Sequence, residues 1–195
     1  MKLDTKDFIL KESFKLFAWK RYEQVTVTDL ERVTKLTRGS IFYYLKNKEH
    51  LFKKTLDKYV FNQDLILNCD RQSLSVFIDS FVAQIKLYKE RMSSLGIKNA
   101  DFAYINIVNQ AIYYYPEYIK IAIEKGEKEL TIWKEVAGGA ILSGEISDTI
   151  DADTLANVFH KLYSGFSYNG IFLPDGIEVE KIQIAFDRIY RMIKK

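Results

Sequence analysis

The first proline of the 195-residue sequence stands at position 116 and the second at 174. A helix interior rejects proline, which lacks the N–H and whose ring meets the preceding turn. So little proline, with only nine glycines, leaves the chain able to run in long helices. The apolar residues are placed accordingly. Leu74, Phe77, Ile78, Phe81, Val82, Ile85 and Tyr88 recur at the i, i+3, i+4 spacing of a helix with one buried face. No useful stretch alternates apolar with polar as a half-buried strand does. The expected fold is all-α, and 48% apolar residues can supply a sizeable core.

About nine helices are predicted from period and punctuation. The first spans roughly Asp4 to Tyr22. The second opens at "TDLE", where Thr28 and Glu31 have capping-box spacing, and ends near Lys35. The third follows "LT" and ends near Leu45; the fourth starts at Asn47 as N-cap. Further helices are expected from Leu74, over Asp101–Tyr113 and over Glu117–Leu142, the last two separated by Pro116. "SGEISDTIDAD" reads as a loop, with Asp151 or Asp153 capping a helix to Tyr168. After the "PDG" turn comes a final helix over Ile177–Lys194.

Several classes are disfavoured at once. No apolar run approaches the ~20 residues of a membrane span, so no membrane partner is expected. The N-terminal "MKLDTKDFIL" mixes acids with lysines and does not read as a secretory signal. The single cysteine, Cys69, excludes an internal disulfide framework and fits a reducing cytosol, so a cytoplasmic location is expected. The net charge of +3 is unevenly divided: residues 1–60 hold fourteen Lys/Arg against eight Asp/Glu, the rest fifteen against eighteen. A basic front on an acidic body suits a polyanionic partner, although scattered surface lysine gives the same sum.

The predicted third helix carries the sharper signal. Its "RGSIFYYL" places three aromatic residues in succession, which cannot share one face at about 100° per residue. A helical wheel turns Ile41, Phe42 and Leu45 inward and Ser40, Tyr43 and Tyr44 outward, with Thr37 at their edge. The outer face is hydroxyls and phenols, which suit an interface. Arg38 falls on the inner side of the wheel, but in the first turn its side chain can reach past the helix end. Lys46 and Lys48 flank the start of the fourth helix. Cations there oppose the helix dipole; an anion at the free N–H groups would explain them, as would a solvated lysine pair.

Two short helices joined by a three- to four-residue turn read as helix-turn-helix, whose second helix enters the major groove of DNA. In that geometry Arg38 could donate to guanine, and Gly39 would let the backbone come close. Thr28, Thr37, Ser40, Tyr43, Tyr44 and Lys48 would contact phosphates or base edges.

At this point the segment "TVTDLERVTKLTRGSIFYYLKNKEHLF" resembles the DNA-binding segment of tetracycline-repressor-type (TetR family) transcription regulators. Their pattern, T-V-x-D-I-A-x-x-A-G-V-S-x-G-T-L-Y-x-Y-F-x-S-K-E-x-L, falls on Thr26 to Leu51 without a gap. Thr26, Asp29, Gly39, Ser40, Tyr44, Lys48, Glu49 and Leu51 carry the match. "ILKESFKLFAWKRYEQ" resembles the family's first helix. Arg21 and Lys35 stand where the family usually has glycine, Glu31 where it has a small residue, and Leu45 where it has an aromatic one.

The resemblance implies a DNA-binding domain over residues 1–48 and a ligand-sensing, dimerising domain over residues 49–195. It implies a homodimer whose last two helices pair with their copies. Phe159, Tyr163, Phe166, Phe186, Ile189 and Ile193 are the candidate seam, although such stripes equally complete a protomer core. It implies an effector between the middle helices, apolar or aromatic to judge from the candidate lining Phe81, Tyr88, Phe102, Tyr104, Tyr113, Trp133 and Tyr163. Repression at a pseudopalindromic operator is the expected outcome. The two third helices would lie ~34–36 Å apart, and a ligand favouring another spacing would weaken binding.

An enzyme is not expected. His50 and His160 stand apart, and no metal-binding His/Cys motif or phosphate-cradling glycine loop occurs, so neither metal nor cofactor is expected. The competing expectation is a helical interaction module without sequence-specific affinity for DNA.

Overall fold

The computed structural model describes residues 4–195; residues 1–3, which begin the segment read as non-secretory, lie outside them. Nine α-helices are present among the described residues: α1 Thr5–Trp19, α2 Val27–Thr34, α3 Arg38–Leu45, α4 Lys48–Leu56, α5 Leu74–Ser94, α6 Ala100–Tyr114, α7 Tyr118–Leu142, α8 Ala152–Gly170 and α9 Val179–Ile193. The chain continues from α4 through one π-type turn, Asp57–Phe61. Ile146, in the expected loop, forms an isolated antiparallel bridge with Lys194 just past α9. Among the described residues no helix is long and apolar enough to cross a membrane.

Side-chain caps set most of the starts. Thr26, Thr37, Asn47, Ser73, Asn99 and Asp151 each accept a backbone N–H from the first turn of the helix that follows. Each such cap is worth about 1 kcal/mol. The capping box of α2 differs from expectation: it is Thr26 with Asp29, not Thr28 with Glu31. The helix begins earlier than the "TDLE" reading, so Thr28 sits inside its first turn and Glu31 is released for another contact. The usual glycine sites also part ways. Arg21 takes φ −63°, so nothing there calls for glycine. Lys35 takes φ 58° and ψ 23°, a left-handed C-cap occupied by lysine.

The apolar residues form two clusters. The first holds α1 to α4 around Phe14, Phe17, Leu30, Ile41, Leu45 and Phe52, and includes Ile107 and Ala111 of α6. The second holds α5, α7, α8 and α9 around Phe77, Phe81, Trp133, Phe159, Ile182 and Phe186. Packing is continuous across residue 48, because Leu51, Phe52 and Leu56 belong to the first cluster. Helix α6 ties in the N-terminal helices with polar contacts as well. Asn106 Nδ2 donates to Ala18 O at 2.8 Å and Gln110 Nε2 to Phe17 O at 3.1 Å, satisfying carbonyls at the end of α1.

The candidate seam residues divide. Phe159, Phe186 and Ile193 are buried inside the protomer. Tyr163, Phe166 and Ile189 pack partly against the same cluster. A helical stripe registers burial, not what does the burying, and here the protomer's own core takes most of it. The large hydrophobic side chains left exposed are others: Val158 and Tyr168 on α8, and Ile184 and Met192 on α9.

The turn between α8 and α9 is clamped from the start of α6. Asn99 Nδ2 donates to Gly170 O at 2.9 Å and Leu173 O at 2.6 Å. The Asp101 carboxylate accepts from Ile177 N at 2.7 Å and Ser167 Oγ at 2.6 Å. Gly176 has φ +74°, and a Cβ there would stand 2.6 Å from Asp101 Oδ2, so the turn admits no side chain at that point.

Candidate functional site

The helix-turn-helix is assembled by α2 and α3. Asp29 is its hub: its carboxylate accepts from Thr26 N at 3.1 Å, Lys20 Nζ at 3.0 Å and Arg32 Nη2 at 2.7 Å. These donors, Lys20 first, hold its pKa far below the usual carboxylate range. Glu31, the departure in α2, reaches across the turn and accepts from Arg38 N at 2.8 Å. It thereby satisfies an N–H of the first turn of α3 and fixes the register of the two helices. Sequence reading treated Glu31 as half of a capping box and so missed this role.

On α3 the inward residues are Ile41 and Leu45, both wholly buried, with Phe42 half-buried against the first cluster. Thr37, Arg38, Gly39, Ser40, Tyr43 and Tyr44 are exposed, Tyr43 at 83%. Thr28 is exposed in the first turn of α2. Thr37 and Ser40 hydroxyls lie 3.0 Å apart, and the Tyr43 and Tyr44 rings meet edge to face at 5.1 Å. The Arg38 guanidinium lies 6.0 Å from the Phe42 ring centre, outside the core. A Cβ on Gly39 would meet nothing within 4 Å. Nothing inside the protomer requires glycine there, although glycine in a helix costs about 1 kcal/mol against alanine.

Lys48 departs from expectation. Its ammonium lies 4.4 Å above the Tyr22 ring and donates to Glu23 O at 3.3 Å. Burial lowers its pKa, with Glu23 opposing. A cation at a helix N-terminus is repelled by the dipole, and here it settles on a π face and a carbonyl. Lys46 is exposed, with φ 56° and ψ −64° and Asn47 N donating to Leu45 O at 2.6 Å. This is a γ-turn of the strained hand, immediately after the exposed helix.

A cavity of about 450 Å³ opens between α5, α6, α7 and α8. Phe81, Tyr88, Tyr104 and Tyr163 line it as expected, together with Ile85, Lys89, Asp101, Lys125 and Glu129. Val60, in the π-type turn after α4, also lines it. Phe102, Tyr113 and Trp133 do not. Trp133 is wholly buried, stacked on Phe159 at 5.2 Å. Phe102 stacks on Trp19 at 5.2 Å, and Tyr113 is 78% exposed against Tyr114. Aromatic content on the middle helices could not separate wall from core. The charged lining was missed for the opposite reason: "EKGEKE" around Glu129 reads as a solvated helix face. Among the described residues no cluster of His, Cys, Asp and Glu is placed to hold a metal ion.

No family model matches the sequence, nor does any curated protein. Solved structures do match by shape. The SmeT–triclosan complex superposes with a TM-score of 0.66 at 14% identity, covering 98% of this chain and 92% of that one. The reduced form of NemR from E. coli gives 0.66 at 13%, covering 97% and 98%. A TetR-family transcriptional regulator from Cytophaga hutchinsonii gives 0.64 at 18%, covering 100% and 98%. Across nearly its whole length, the chain has the fold of TetR-family transcriptional regulators.

Proposed function

We propose that the protein is a DNA-binding transcriptional regulator, a cytoplasmic and non-enzymatic repressor that acts as a homodimer and answers to a small ligand. The observation that carries this reading is Gly39. It is a destabilising residue in mid-surface, with no internal reason to be there, on a face of hydroxyls, phenols and Arg38. A surface bare of bulk at that point admits the close approach of another molecule, and the basic N-terminal third suits a polyanion.

In this reading residues 1–48 bind DNA and α3 enters the major groove. Arg38 reads a base edge; Thr28, Thr37, Ser40, Tyr43 and Tyr44 fix position on the backbone. Lys46 meets phosphate from its exposed turn, and a phosphate draws Lys48 away from Tyr22. Two protomers pair through the exposed apolar faces of α8 and α9, centred on Val158, Ile184 and Met192, with the half-buried Phe166 at their edge, rather than on the buried Phe159, Phe186 and Ile193. A Cβ at Gly165 of α8 would also meet nothing within 4 Å, which suits a close helix crossing. The triclosan bound by SmeT supports a ligand role for the cavity. Occupancy would act through Val60 into α4 and through Tyr104 into α6, whose amides hold the end of α1.

The test is selection of bound sequences from a random duplex pool. A pseudopalindrome with half-sites about one helical turn apart is expected. Arg38→Ala should relax preference at one position of each half-site, and Lys46→Ala should weaken all sequences alike and flatten the salt slope by about one. Recovery of no enriched sequence at low salt would leave the interaction-module reading in its place.

A further inference from the structure

The wall of the cavity is not evenly polar, and its charges are not equally committed. Lys125 is spoken for: its ammonium donates to Gln63 O and to Asp64 Oδ1, both at 2.7 Å. Lys89 donates to Ile177 O at 2.8 Å, and Asp101 accepts from Ile177 N and Ser167 Oγ. Both belong to the clamp on the α8–α9 turn. Glu129 stands apart from these. Among the described residues its carboxylate accepts no hydrogen bond; it lies 3.4 Å from His160 Nε2 and pairs with the Lys125 ammonium at 4.0 Å. Only a quarter of its side chain is exposed. A carboxylate so enclosed ordinarily collects donors.

Rings share the cavity wall with that carboxylate. His160 and Tyr163 are one turn apart on α8, and Tyr163 lines the same cavity as Glu129. Tyr163 packs edge to face with Phe81 at 5.0 Å, and Tyr88 and Tyr104 complete the wall. The phenols of Tyr88, Tyr104 and Tyr163 have no protein acceptor or donor among the described residues, and none is sealed off from a water-sized molecule. Burial raises all three phenol pKa values, with Glu129 adding to the shift at Tyr104 and Tyr163. They therefore stay neutral, and line the site together with a Glu129 carboxylate that accepts no hydrogen bond.

We infer that the cavity takes an aromatic organic cation, its charge set against Glu129 and the rings of Tyr104 and Tyr163, its flat body against Phe81 and Tyr88. This rests on the ligand-responsive reading of the cavity above and adds the chemical class. Cation–π contact in a desolvated site and a carboxylate act together on such a ligand, and neither favours an anion of the same shape.

The experiment is calorimetric titration of the full chain with N-methylacridinium and, as a counterpart of similar size, anthracene-9-carboxylate. Binding of the cation at least about tenfold tighter than the anion is expected. Glu129→Gln should remove that preference, leaving the anion unchanged or tighter. Tyr104→Leu, which takes away a π face without touching a charge, should weaken the cation about tenfold and the anion far less. Equal or tighter binding of the anion, binding of neither, or a preference that survives Glu129→Gln would overturn the assignment. The same titrations over DNA recovered by selection separate the two levels. DNA bound with no cation bound defeats the ligand class and leaves the regulator standing. Cation bound with no DNA selected does the reverse.

Discussion

At the scale of single residues the fold is held by small polar decisions whose cost is known. Gly39→Ala should raise stability by about 1 kcal/mol, read as a higher urea midpoint, because the helix gains alanine and the added Cβ meets nothing. The same change should weaken DNA binding, read by anisotropy of a labelled duplex. A stabilised variant that binds undiminished would remove the reason offered for that glycine. Asp29 allows a second check. Its folded pKa is depressed, so the stability it contributes is present above the ordinary carboxylate value of 3.8 and fades as pH falls below it. Asp29→Asn should therefore be less stable than the parent at neutral pH, with the gap between their urea midpoints closing in acid. A gap independent of pH would mean that hydrogen-bond geometry, not charge, is what Lys20 and Arg32 recognise. The outward faces of Tyr43 and Tyr44 were legible in the sequence from helix period alone. The fold-back of Lys48 onto Tyr22 was not, since it depends on a residue twenty-six positions away.

At the scale of elements, α2 and α3 show how a departure from a pattern can be absorbed. Lys35 pays the left-handed penalty at the C-cap of α2, and Lys35→Gly should raise stability by about 1 kcal/mol in urea unfolding. An unchanged or lowered midpoint would mean that lysine makes a compensating contact in the turn. Glu31 is a gain at a position that reads as a loss, because its carboxylate spans to Arg38 N. Helix existence followed from apolar period and from the scarcity of proline, and the nine elements lie where those signals put them. The boundaries moved where a cap was ambiguous, as at Thr26, and where the chain slackened, as at the early end of α1 in Trp19. What period could not supply was the partner of each stripe. Trp133 and Phe159 share their spacing with true lining residues, and only the packing of α7 on α8 turns them toward one another.

At the scale of the whole molecule α5 and α7 give buried residues to both apolar clusters, while α6 begins at the cavity and ends against α1 and α4. Its far end carries Tyr115, whose hydroxyl donates to that of Tyr22 at 2.9 Å, beneath the Lys48 ammonium. The exposed apolar residues of α8 and α9 are the proposed seam between protomers. Met192→Asp together with Ile184→Asp should shift the protein to monomer mass in sedimentation while leaving the helical circular dichroism intact, since both side chains are at least half exposed. A dimer that persists would place the seam elsewhere. The clamp by Asn99 and Asp101 has a further consequence. Asp101, and Lys89 which grips the same turn, are part of the cavity wall, and that turn joins the two helices of the proposed seam. In the proposed dimer, self-association and occupancy share a fulcrum, and thermodynamic reciprocity makes each report on the other. Binding isotherms collected on dilute and on concentrated protein will fail to superimpose, and the sign of the displacement will say whether the effector tightens the pair or loosens it.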